Sequence, residues 1–213
     1  MSEKRSERHR EPATERARRV DPRIAQTQRL VKQATLDLIA EIGFEGTTVE
    51  LIAERSGVSR TTIYRHWPDP AELLLAAFDP IAPDRQPPAR TGDFVTDLDA
   101  YLRHVADRLN DDHFAAALAA QVDKARRDPQ YRAAHLHYAV TRNEHCLGIF
   151  RAGIDDGALR EDLDPEHETD LILGYLTYQR LMKYRRLDEG LVTALRDGVI
   201  ARAVRPTGRR RRP

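Results

Sequence analysis

From Thr47 to Trp67 the chain reads TTVELIAERSGVSRTTIYRHW, and this stretch limits the possible folds more than any other. Val49, Ile52 and Ala53 recur at i, i+3 and i+4, the period of a helix with one buried face. Its start is marked twice. Thr47 and Glu50 have the spacing of a capping box, while Thr48 is an equally good N-cap, and the sequence leaves the choice open. Gly57 can take the left-handed backbone that ends a helix, and Ser59 can cap the next one. Val58 and Ile63 then point back toward a core, which leaves Arg60, Thr61, Thr62, Tyr64 and Arg65 facing outward. Two short helices joined by a tight glycine turn form a helix-turn-helix. The second of them carries side chains suited to a major groove.

Composition points the same way. Aliphatic residues and alanine dominate, aromatics make up 6%, and no alternating β-branched run occurs, so the expected fold is all-α. A formal net charge of +1 hides an uneven distribution. Residues 1–20 hold seven bases against four acids, and residues 205–213 hold five arginines and no acid. The body between them has 23 bases and 30 acids. Residues 1–20 read as a disordered basic arm and 205–213 as a disordered Arg-rich tail. Each is either a source of salt-dependent phosphate contacts or a solvated terminus. The single cysteine, Cys146, rules out an intramolecular disulfide and a cysteine-based zinc site. No apolar run reaches the length of a membrane span, and the charged N-terminus lacks a signal-peptide core, so a cytoplasmic protein is expected.

The segment from about Arg29 to Phe78 resembles the DNA-binding domain of the TetR/AcrR family of bacterial transcriptional regulators. The resemblance runs through Gly43-Phe44, Thr48-Val49, Ile52-Ala53, Gly57-Val58-Ser59, Thr62-Ile63-Tyr64, His66-Trp67 and Leu73-Leu74. The rest of the chain is similar to the all-helical regulatory half of that family, most specifically over the GALREDLDP stretch from Gly157 to Pro165. By this resemblance, Arg60, Thr61, Tyr64 and His66 match positions that contact DNA. One departure stands out. Many members carry a lysine shortly after the aromatic that ends the recognition helix, and here Pro70 replaces it, removing a charge and a backbone donor.

The expected organisation is a three-helix helix-turn-helix DNA-binding domain at 21–78, a proline-rich linker at 79–92, and a helical regulatory and dimerisation domain at 93–204, with about nine helices in all. A first helix, opened by Asp21-Pro22, runs to Ile42 and buries Val31, Ala34, Leu38, Ile39 and Ile42. Asp69 and Glu72 repeat the start signal for the helix after Trp67. In the regulatory half, helices are predicted over about 93–109, 113–127 and 130–154, then after Asp164-Pro165 and after Asp188. Phe114, Leu118 and Val122 form the apolar set of the second of these.

The DNA-binding set is Thr48, Ser59, Arg60, Thr61, Thr62, Tyr64, Arg65 and His66. An arginine near the start of a recognition helix can read guanine bidentately, and Thr61 suits a thymine methyl or a phosphate. Tyr64, Thr62 and His66 suit phosphate oxygens, as does the helix terminus at Thr48. Trp67 is read as filling the seam between the recognition helix and the next. No metal site or cofactor is expected: His135 and His137 diverge on a helix, and no His-Glu-x-x-His pattern occurs. Nor is an enzyme, since there is no glycine-rich phosphate loop or nucleophile elbow, and Cys146 lies mid-helix without a base.

A small-molecule cavity between the helices is expected, with Tyr101, His104, Phe114, Tyr138, Phe150 and Tyr175 as lining candidates. The apolar stripes of the last two helices have no later element to cover them. Leu171, Tyr175, Gln179, Leu191, Leu195 and Val199 are therefore the expected interface of a homodimer, which agrees with how the family dimerises. The sequence thus reads as a ligand-responsive regulator, a repressor that binds a palindromic double-stranded DNA operator and leaves it when a small-molecule effector binds.

Overall fold

The computed structural model describes residues 22–78 and 86–204, except for the side chains of residues 137, 138 and 140–142. The expected cap Asp21, the two terminal arms and residues 79–85 of the linker lie outside the described residues. Nine α-helices and one π-helical turn make up the fold among those described, with a single isolated β-bridge between Leu159 and Val204.

The N-terminal half has four helices: α1 (Pro22–Gly46), α2 (Val49–Ser56), α3 (Arg60–His66) and α4 (Pro70–Ala76). Helix α1 is interrupted at Gly43, whose φ of 73° and ψ of 176° are not helical. That break swings Phe44 into the core and leaves Ile42 49% exposed, against the expectation that Ile42 is buried. The open choice of cap for α2 falls to Thr48, whose hydroxyl accepts from the Leu51 N–H at 3.3 Å. Thr47 instead donates back to the Gly43 carbonyl at 2.8 Å. Asp69 caps α4, accepting from the Ala71 N–H at 2.8 Å, with Pro70 at the first helical position where its missing N–H costs nothing.

The C-terminal half adds α5 (Phe94–Asn110), α6 (Asp112–Arg127), α7 (Pro129–Asp155), α8 (Pro165–Thr177), a π-turn (Tyr178–Met182) and α9 (Glu189–Ala203). Aspartates 93, 111, 128, 164 and 188 cap all five α-helices, so local chemistry sets the starts. The turn after α7 explains the Gly157–Pro165 stretch. Gly157 takes a φ of 73°, Leu159 is fully buried, its N–H bonds the Gly153 carbonyl at 2.9 Å, and Asp164 starts α8. Before α5, the buried Asp97 accepts from Thr91 N–H and hydroxyl, both at 2.7 Å, and from Gly92 N–H at 3.1 Å. Burial alone raises its pKa; those donors more than offset it and hold the carboxyl below its usual value. Val122, expected inside, is 53% exposed on α6, whose inner face is formed by Phe114, Ala117, Gln121 and Ala125.

Two cores result. The smaller lies under the helix-turn-helix and is made of Val31, Leu38, Val49, Ile52, Ile63, Trp67 and Leu73. The larger runs through the C-terminal half and takes in Leu36, Ile39, Phe44, Leu75 and Phe78 from α1, α4 and their ends. Helix α1 packs extensively on α6, and α9 packs on α5.

Candidate nucleic-acid interface

The outward face of α3 is held rigid from below and from its N-terminal end. Gly57 turns the chain with φ 68° and ψ 12°, as its position between two capped helices requires. Ser59 accepts from the Thr62 N–H at 3.2 Å, and the Ser59 and Thr62 hydroxyls lie 2.9 Å apart. Beneath, Ile63 is 1% exposed and Trp67 lies in the small core, its ring edge-on to His66 at 5.7 Å. Trp67 is thus a packing residue, as its seam position suggested. Burial of one face fixes the other: Thr48, Ser59, Arg60, Thr61, Tyr64 and Arg65 are exposed, and Thr62 and His66 are half-buried. All eight sequence candidates therefore sit on α3 or at the adjoining start of α2.

Sequence reasoning did not find the partner of Arg60. Its guanidinium pairs with Glu50 on α2 at 3.2 Å, both side chains being well exposed. The Glu50 carboxyl is held below its usual range by its own backbone N–H and then by Arg60. Ten residues separate the pair across a turn, so no helical spacing rule links them. Nearby, Arg55 grips Glu41 with two bonds of 2.9 Å and ties α2 to α1.

A cavity of about 420 Å³ opens among α5, α6, α7 and α8. Of the expected lining residues, Tyr101, His104 and Phe114 border it. Phe150 does not: it is fully buried against Phe94, with ring centroids 5.6 Å apart, because the inner face of α7 there meets α5 without a gap. Tyr175 also does not, lying 40% exposed on the outer side of α8. The Tyr138 side chain lies outside the described residues. Arg108, Gln121, His135 and His145 border the cavity and were missed, although Arg108 falls four residues after His104 and so on the same helical face. Burial lowers the pKa of His145, with Arg90 reinforcing the effect and Asp97 opposing it, and its ring stacks on Tyr101 at 5.6 Å. Burial also pushes the Cys146 thiol up to about 11, so this cysteine is a packed, unreactive side chain.

The expected dimer residues divide. Leu171 and Tyr175 point outward, and with Tyr178 and Met182 they form an exposed row along α8 and the π-turn, each 40–65% exposed. Gln179, Leu191 and Val199 do not belong to an outer face. Leu191 and Val199 are buried within the chain itself, and Leu195 is half-buried against the same core, because α5 covers the inner side of α9; Gln179 is buried on the π-turn. No helix among the described residues is long and apolar enough to cross a membrane.

Comparison with known proteins agrees with this geometry. The family profile described as "Bacterial regulatory proteins, tetR family" matches residues 33–77, and "Tetracyclin repressor-like, C-terminal domain" matches residues 88–199. The chain is similar to the HTH-type transcriptional regulator YdeS of Bacillus subtilis (strain 168), at 32% identity over 84% of this chain and 90% of that one. It is also similar to the HTH-type transcriptional regulator Rv1556 of Mycobacterium tuberculosis (strain ATCC 25618 / H37Rv), at 30% identity over 78% and 82%. Among solved structures, the TetR family transcription regulator SCO0332 superposes with a TM-score of 0.67 at 26% identity, covering 85% of this chain and all of that one.

Proposed function

The chain belongs to the TetR family of helix-turn-helix transcriptional regulators, and on that premise we propose that it is a ligand-responsive repressor acting as a homodimer on a palindromic operator. The observation that carries this reading is the polar outer face of α3, in which Arg60, Thr61 and Tyr64 stand exposed on a helix pinned by Ser59 and Ile63. Arg60 reads a base edge, and the hydroxyls of Thr48, Thr62 and Tyr64 take phosphate oxygens. Binding exchanges the Glu50 carboxylate on Arg60 for DNA, so the ion pair keeps the guanidinium extended near its working position until then.

The outward row of Leu171, Tyr175, Tyr178 and Met182 has spacings of four, three and four, which suits a helix-on-helix seam with a second copy. Two-fold pairing would present two recognition helices to successive major grooves, hence the palindrome. Residues 21–78 act as the DNA-binding unit, 79–92 as the linker and 93–204 as the effector and dimer unit of a cytoplasmic protein. The cavity is the effector site, and an effector acts by binding better to a state with the recognition helices wrongly spaced.

Fluorescence anisotropy on inverted repeats from the DNA flanking the coding region tests the reading. Tight, salt-dependent binding to one repeat, well above binding to its scrambled version, is expected. Equal affinity for both would remove the operator claim. Light scattering should give a dimer that a Leu171→Asp, Tyr175→Asp double substitution converts to a folded monomer; a monomeric unaltered protein would contradict the seam.

A further inference from the structure

Glu50 stands against the charge logic of the face it occupies. A surface that approaches phosphates gains affinity from bases and loses it from acids. Yet Glu50 lies in the first turn of α2, two residues after the exposed Thr48 and across the turn from Arg60. Its Oε1 accepts one bond from Arg60 Nη1 at 3.2 Å, and both side chains are well exposed. Packing does not require this pair. Neither residue belongs to either core, and Ile52 and Ile63 already join α2 to α3 from beneath. An exposed pair with a single bond also adds little to the stability of a fold. Its main consequence is electrostatic: the carboxylate cancels the Arg60 charge as a DNA backbone meets it.

Resting on the reading of α3 as the recognition helix, we propose that Glu50 sets the discrimination between operator and other DNA by withholding Arg60 from phosphates. A phosphate is an anion, like the carboxylate it would replace. Giving Arg60 to it leaves Glu50 unpaired beside the backbone, like charge against like charge, so the pair stays closed on non-operator DNA. A guanine edge differs in two ways. Its O6 and N7 are neutral acceptors, and they take two parallel bonds from the guanidinium in place of the one that Glu50 holds. The exposed pair is weak enough to open for that exchange. Arg60 is thus released where a guanine stands within its reach. A contact that every duplex could offer becomes one that depends on sequence.

Fluorescence anisotropy with Glu50→Gln, on an inverted repeat from the flanking DNA and on its scrambled version over a range of salt, tests this role. The substitution keeps the size of the side chain and removes its charge; a melting curve checks the fold, and Glu50→Ala should behave alike. Scrambled DNA should bind about ten-fold more tightly, with a log–log salt slope steeper by about one, because Arg60 now takes a phosphate. Operator affinity should rise by less, so the ratio of operator to scrambled binding falls about five-fold. In an Arg60→Ala background the same substitution should move both duplexes by one common factor and leave the slope as it was. A ratio unchanged by Glu50→Gln, or one that falls equally without Arg60, would overturn the assignment. If the unaltered protein bound both duplexes equally, the operator reading would fall on that result alone. The slope on scrambled DNA would still decide whether Glu50 restrains Arg60, and an unchanged slope would overturn that restraint.

Discussion

The small core under the recognition helix and the large core of the regulatory half are built from different kinds of contact. The first joins residues between Val31 and Leu73, close in sequence, with its helices begun by Thr48, Ser59 and Asp69. The second draws on residues from Leu36 to Ala203, and so brings together parts of the chain far apart in sequence. They are not separate bodies. Helix α1 gives Val31 and Leu38 to one core and Leu36 and Ile39 to the other, and α4 divides Leu73 and Leu75 in the same way. The DNA-binding half is therefore seated on the regulatory half by two shared helices.

The strongest way to break this comparison is Phe78→Ala. It removes a fully buried ring that touches Phe44 and Phe114, and about 3–5 kcal/mol of stability should go with it. Urea unfolding followed by Trp67 emission and by helical circular dichroism should shift together. A shift in only one signal would mean that the cores are not shared at this point.

Ile63→Ala sharpens the contrast from the other side. The side chain is 1% exposed within the small core, so about 2–5 kcal/mol should be lost there. In this variant too the Trp67 signal and the circular dichroism are expected to shift together, because α1 and α4 contribute to both cores. A Trp67 signal that moved ahead of the circular dichroism would give the small core a stability of its own.

Smaller still is Arg60→Ala, which touches neither core. Its melting curve should match that of the unaltered protein, while operator affinity drops by roughly 1–3 kcal/mol with discrimination relaxed at one base position per half-site. Tyr64→Phe should lower affinity for all sequences alike, by deleting a phosphate bond. A one-base operator library separates the two. Unchanged sequence preference in Arg60→Ala would move base reading to another residue.

The smallest effect expected is with pH. Burial lowers the pKa of His145 in the folded chain below its free value near 6.5, so the unfolded chain takes the proton first as pH falls. The stability concerned is complete above 6.5 and is lost as pH drops through the folded pKa. Melting temperatures between pH 7.5 and 5.5 should show the loss, and His145→Gln should flatten it. An equal slope in that variant would assign the titration elsewhere.

How much of this was legible in the sequence follows the same division. Aspartate and serine caps at Ser59, Asp69, Asp128, Asp164 and Asp188 act within three residues, so the sequence could place those helix starts and the outward face of α3. Ile42 was misread because one glycine at φ 73° redirects the chain. Gln179, Leu191 and Val199 were misread because an apolar stripe shows that a face is covered without showing what covers it. Here α5 and its neighbours do so, and the outward row on α8 is a second stripe beside the first. Phe150 and Tyr175 fail as cavity residues for a related reason: aromatic type does not distinguish a packed ring from a cavity wall or an outer face. Arg108 could have been found from its register with Tyr101 and His104, but its bond to Phe78 spans 30 residues and is a tertiary fact.

The most direct test of the shared seat is equilibrium unfolding of the unaltered protein in urea at fixed concentration, followed by Trp67 emission and helical circular dichroism. Trp67 is the only tryptophan, and it lies in the small core, so its emission reports the DNA-binding half while the circular dichroism reports every helix. The shared helices predict a single transition in which the two signals superimpose. A Trp67 transition complete before the main helical loss would contradict the account, since the recognition helix would then stand on a core of its own.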